Sequence, residues 1–219
     1  MLTRIPLWIL LGAVSLAFSA GYINAIALLT FSNNAVSHVT GTLTQTMNAL
    51  SVGDDGTSTY LFTLVAMFFF GAVTSGMIIK NEALKLGRRY GIALFLEAIV
   101  LFAATYLFYH GAIMGEMLAS FACGLQNAMI ATYSGSVIRT THLTGIVSDL
   151  GSAIGQLLVR KQVNTRQVTI QSAILAAFLS GAFVGASLLN ILSSLAMLVP
   201  AVIVLCASLG YQLKIKKVI

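Results

Sequence analysis

Long apolar runs separated by short polar segments set the pattern of this chain. Six runs are long enough to cross a hydrocarbon core of about 30 Å: roughly 6–30, 59–79, 91–109, 112–136, 168–190 and 193–213. Two intervening segments, 41–52 and 144–158, read as helices but are too short and polar to cross easily. The pattern predicts an all-α integral membrane protein with six transmembrane helices. The first run does not read as a cleavable signal: only Arg4 precedes it, it is too long, and Asn24 lies inside it.

Composition strengthens this reading. Hydrophobic residues make up 58% of the chain and charged residues 8%, where a soluble domain has about a quarter charged. Cys123 and Cys206 fall inside apolar runs and read as small buried residues, with no spacing that suggests a disulfide or a metal. There is no nucleotide-binding glycine loop, no His-Glu-x-x-His and no Ser-His-Asp arrangement. Neither an enzyme nor a bound cofactor or metal is expected.

The net charge of +6 matters through its distribution. Basic residues cluster at the N-terminus, in 80–89, in 139–166 and at the C-terminus, whereas 31–58 carries only Asp54 and Asp55. Lys and Arg stay on the cytoplasmic side because they are costly to translocate and are drawn to the anionic inner leaflet. Six spans with both termini inside put all twelve basic residues there, so the expected partner is the lipid bilayer and not nucleic acid. If 41–52 and 144–158 crossed fully, the 80–89 loop would face outside. Both are therefore expected to be re-entrant, 32–58 dipping in from outside and 137–166 from the cytoplasm.

The chain is also duplicated. Ser37-His-Val-Thr-Gly-Thr-Leu-Thr-Gln45 returns as Thr141-His-Leu-Thr-Gly-Ile-Val-Ser-Asp149. Upstream, Gly21-Tyr-Ile-Asn-Ala25 is matched by Gly124-Leu-Gln-Asn-Ala128. Downstream, Gly71-Ala-Val-Thr-Ser75 is matched by Gly181-Ala-Phe-Val-Gly185. Units 1–110 and 111–219 are thus expected to be inverted repeats, each with three spans and one re-entrant half-helix.

Candidate chemistry follows from the repeat. Thr40 and Thr144 suit helix N-caps, and Gly41 and Gly145 leave room for a close approach. A helix N-terminus carries partial positive charge and free N–H donors, so two of them facing each other at the midplane favour an anion or a solute rich in acceptors. His38, Thr40, Gly41, Thr42, His142, Thr144 and Gly145 form the candidate solute site. Glu97, centred in an apolar run and matched by Pro200, is the candidate proton carrier, and an intramembrane carboxyl of this kind must be protonated or paired. Asp149, whose repeat partner is Gln45, suits a cation, a proton or the helix dipole. Glu116, near the end of its run, is expected to reach the interface. Asn24 and Asn127 are expected to bond backbone beside the hairpins, in support of the site. Gly71/Ser75 and Gly181/Gly185 read as helix-crossing pairs, within the chain or across a dimer.

At Gly21-Tyr-Ile-Asn-Ala, Thr40-Gly41, Gly124-Leu-Gln-Asn-Ala and Thr140-Thr-His-Leu-Thr-Gly145, the chain resembles the YoaK-like family of small bacterial membrane proteins, over nearly its whole length. It carries Asn24 where members usually have Asp, and Thr42 where they have Asn. The resemblance implies a multi-pass protein of the bacterial cytoplasmic (inner) membrane and supplies no substrate. The expected function is a carrier or channel for a small polar or anionic solute. The alternatives are a non-transporting scaffold or partner subunit, and a half-size transporter completed as a homodimer.

Overall fold

The computed structural model describes residues 7–30, 34–79, 88–134 and 139–218. Among these there are eight α-helices and no strand. They are α1 Leu7–Leu29, α2 Val39–Ser51, α3 Asp55–Ile79, α4 Arg88–Tyr109, α5 Met114–Tyr133, α6 Leu143–Leu158, α7 Thr165–Leu192 and α8 Leu198–Val218. A 3₁₀ turn, Ser193–Met197, joins the last two.

Four segments have the length and hydropathy to cross a membrane: Leu7–Leu29, Asp55–Ile79, Arg89–Tyr109 and Thr165–Ile215. The fourth contains α7 and most of α8. The chain is therefore a helical membrane protein. Helix α5 is not in this set, and it carries Glu116, Gln126 and Asn127, which lower its hydropathy. Of the basic residues that set the expected orientation, Arg4, Lys80 and Lys85 lie outside the described residues.

The closest packing joins the two halves. At the crossing of α1 and α7, a Cβ on Gly21 would overlap the Phe178 carbonyl, and one on Gly181 would overlap the Phe18 carbonyl. The crossing of α3 and α5 repeats this arrangement, with Gly124 against the Phe68 carbonyl and Gly71 against that of Phe121. Glycine is required at all four places because backbone, not a movable side chain, occupies the space. The small-residue pairs are thus packing devices within the chain.

Contacts along these crossings give the helix directions. Tyr60 meets Glu116, Leu64 meets Ser120 and Phe68 meets Gly124, so α3 and α5 run parallel. Phe18 meets Gly181 and Tyr22 meets Gly185, so α1 and α7 do the same. Helix α8 is antiparallel to α1, with Trp8 beside Tyr211 and the Tyr22 hydroxyl donating to the Ala196 carbonyl at 3.0 Å. It is also antiparallel to α4, where Ser208 Oγ donates to the Gly91 carbonyl. Helices α4 and α5 form a hairpin, with Gly115 against Phe108 and Ala104. Helix α2 consequently lies at one end of the bundle and α6 at the other.

The two short helices also end alike. Gly53 (φ 77°) and Arg160 (φ 59°) both take the left-handed conformation that stops a helix. Asp54 N–H and Lys161 N–H then reach back to the carbonyls of Ala49 and Gln156, each at 2.9 Å. Asp54 Oδ1 and Asn164 Oδ1 go on to accept from Thr57 N–H and Gln167 N–H at the starts of α3 and α7.

Candidate functional site

Both repeated motifs open their helices in the same way. The N-caps are His38 and His142, with φ/ψ of −89°/57° and −90°/59°. This corrects the expectation for Thr40 and Thr144, which sit inside the first turn. Neither histidine makes a capping hydrogen bond through its side chain. Instead each imidazole lies over the glycine three residues on: a Cβ at Gly41 would overlap the His38 ring, and one at Gly145 the His142 ring. The space left by each glycine is filled by its own histidine, and not by a neighbouring helix. His38, Thr40, His142 and Thr144 are exposed, Gly41 and Gly145 are half-buried, and Thr42 is buried with its hydroxyl donating to the His38 carbonyl.

The chain leading into each helix is pinned to α5. Ser120 Oγ lies 2.9 Å from the Val36 carbonyl and 2.8 Å from that of Leu64. Gln126 Nε2 donates to Thr140 Oγ1 at 3.1 Å and to the Leu16 carbonyl at 2.9 Å. The midpoint of α5 falls at Cys123 and Gly124, so Ser120 and Gln126 stand about one turn to either side of it. The two approaches therefore reach α5 roughly 9 Å apart along its axis. Helices α2 and α6 do not themselves touch.

Asn24 holds the first approach: its Nδ2 donates to Ser37 Oγ at 2.6 Å, and its Oδ1 accepts from Ser37 N–H at 3.0 Å. Its repeat partner Asn127 has a buried Oδ1 without a hydrogen bond, and the neighbouring Gln126 makes the bond to the second approach instead. Gln45 and Asp149 are exposed, and Asp149 accepts from Gln171 Nε2 at 2.6 Å. Asp149 thus lines a polar groove between α6 and α7, away from His142.

Glu97 is fully buried, and neither carboxyl oxygen has a hydrogen-bond partner. Glu116 differs from expectation. It is fully buried and accepts from the Tyr60 hydroxyl, because the parallel crossing of α3 and α5 covers it. Ser37, Ser120, Gln126 and Thr140 were not singled out as site residues. The available signal was the adjacent amide pair Gln126 and Asn127 in the second half of α5.

Residues 12–210 match a family model described as a protein of unknown function (DUF1275). No curated protein and no solved structure matches the chain.

Proposed function

The chain belongs to the DUF1275 family, and from that premise and the geometry of its hairpins we propose that it is a carrier or channel for a small polar or anionic solute. In this reading the six long helices all span the bilayer of a bacterial inner membrane, with both termini cytoplasmic. The units 1–110 and 111–219 are inverted repeats, and α2 and α6 are half-helices entering from opposite sides. One observation carries the reading: the approaches to the two half-helices are pinned to α5 on either side of its midpoint, by Ser120 and Gln126. Backbone that leaves a helix at that depth is tolerated only against protein or a wet cavity. Exposed His38, Thr40, His142 and Thr144 then face water, where the first-turn N–H donors of each helix suit an acceptor-rich solute.

A second copy of the chain would complete such a pathway. The outer faces of the half-helices carry exposed Met47, Leu50, Ile154 and Leu158 beside polar Gln45 and Asp149. That mixture suits a homodimer face with a wet seam better than it suits lipid alone. Glu97 lies inside the protomer, so a proton carried there would act through the bundle and not at the seam.

Swelling of proteoliposomes tests the proposal, with formate, nitrate and chloride as anionic probes and urea and glycerol as neutral ones. Faster swelling than empty vesicles is expected for at least one probe, and Gly41→Leu with Gly145→Leu should slow it. Swelling equal to empty vesicles for every probe would favour the scaffold reading instead.

A further inference from the structure

The repeat alignment that pairs Gly21 with Gly124 and Glu97 with Pro200 also pairs Gly12 with Gly115, Ala104 with Ala207 and Phe108 with Tyr211. In one copy these residues are in contact: a Cβ on Gly115 would lie 2.9 Å from the Phe108 ring and 3.2 Å from the Ala104 carbonyl. In the other copy α1 and α8 meet at Trp8 and Tyr211, but nothing lies within 4 Å of a Cβ on Gly12 or Gly210. A cavity of about 290 Å³ opens there, with Gly12, Ala207, Gly210 and Tyr211 in its lining. Its size is close to the lower bound for small-ligand pockets, about 300 Å³. Two-fold symmetry is broken here by a void where the matching site is filled with protein.

We propose that this cavity between α1 and α8 holds an acyl chain of a phospholipid with an anionic headgroup. The cavity lies on the flank of the bundle, with exposed Leu11 and Gly210 at its rim, so the solvent available to fill it is hydrocarbon. Its lining is almost wholly apolar apart from one end, where Trp8, Tyr90 and Tyr211 cluster as aromatic residues do at headgroup depth. Lys214 closes that end, its ammonium 4.1 Å from the centre of the Trp8 ring. Lys214 occupies the repeat position of Gly111, so the cation belongs to the open copy alone. A basic group at the mouth of an apolar cleft between helices selects a lipid whose chain enters the cleft and whose headgroup is acidic.

Trp8 is the chain's single tryptophan and reports directly on the site. The full chain is placed in phosphatidylcholine vesicles carrying an equal, low mole fraction of dibrominated phosphatidylglycerol or dibrominated phosphatidylcholine. Quenching of Trp8 by the anionic phosphatidylglycerol should show about fivefold higher apparent occupancy. Lys214→Gln should bring the two lipids level, and Gly12→Leu, which fills the cavity, should remove the excess quenching. Gly210→Leu should act likewise and serves if Gly12→Leu fails to fold. Equal quenching by the two lipids in the native chain would overturn the proposal. So would an undiminished excess in a folded cavity-filling variant, which would place the lipid on the general surface.

Discussion

Gly21 on α1 and Gly181 on α7 face each other across one crossing, each seated against the carbonyl that lies one turn before the other. Gly124 and Gly71 repeat the relationship between α5 and α3. Helix α1 is thus locked to α7, and α3 to α5, through backbone contacts that only glycine permits.

Gly21→Ala and Gly71→Ala should each force backbone apart, at a cost of about 1–3 kcal/mol. Gly76→Ala, also in α3, meets nothing within 4 Å and should be neutral or slightly stabilising. Thermal unfolding in detergent checks this. A Gly21→Ala protein as stable as Gly76→Ala would contradict the crossing geometry.

Asn24→Ala removes both bonds to Ser37 and leaves its N–H without a partner. Losing a buried partner in this way costs about 1–3 kcal/mol, here concentrated on the approach to α2. Hydrogen exchange should quicken at Ser37 and in the first turn of α2 while α7 is unchanged. Unchanged exchange at Ser37 would show that the amide does not hold the approach to α2.

Glu97, on α4, is fully buried and neither of its carboxyl oxygens has a hydrogen-bond partner. If it carries a proton during transport, Glu97→Gln should leave folding intact and abolish the pH dependence of uptake in proteoliposomes. Uptake that keeps its pH dependence would remove that role.

At the exposed turn before α3, the hydrogen bond from Thr57 N–H holds the Asp54 carboxyl below its ordinary value of 3.8. A lowered folded-state value means that the cap stabilises the ionised form: its contribution is present above about pH 3.8 and is lost as pH falls through the folded value. Exchange at the Thr57 amide, corrected for its intrinsic rate, should therefore accelerate on acidification. In Asp54→Ala it should be fast throughout, and an identical acid response in that variant would assign the effect to another group.

Much of this fold was legible in the sequence, because apolar runs and charge placement act locally. Each of the six apolar runs overlaps a helix, and the short polar helices fall at 39–51 and 143–158. The repeat, visible as His-x-Thr-Gly, returns as two N-caps with matching dihedrals. What escaped was decided by packing. Threonine is a common cap, yet an imidazole over a glycine won that position in both copies. Glu116 stood near a helix end and still became buried, because a parallel neighbour brought Tyr60 to it. Gln126 lies inside the Gly124-Leu-Gln-Asn-Ala128 block, yet only its place on α5 joins it to Thr140 and Leu16.

The central claim is that two half-helices enter the membrane from opposite sides with wet N-termini. Thiol labelling tests it most directly, using Thr40→Cys and Thr144→Cys in a chain whose Cys123 and Cys206 are replaced by alanine. A membrane-impermeant anionic thiosulfonate is applied separately to right-side-out and inverted vesicles. The account predicts that Thr40→Cys reacts only from outside and Thr144→Cys only from the cytoplasmic face. Reaction of both from one side, or of neither from any side, would contradict it.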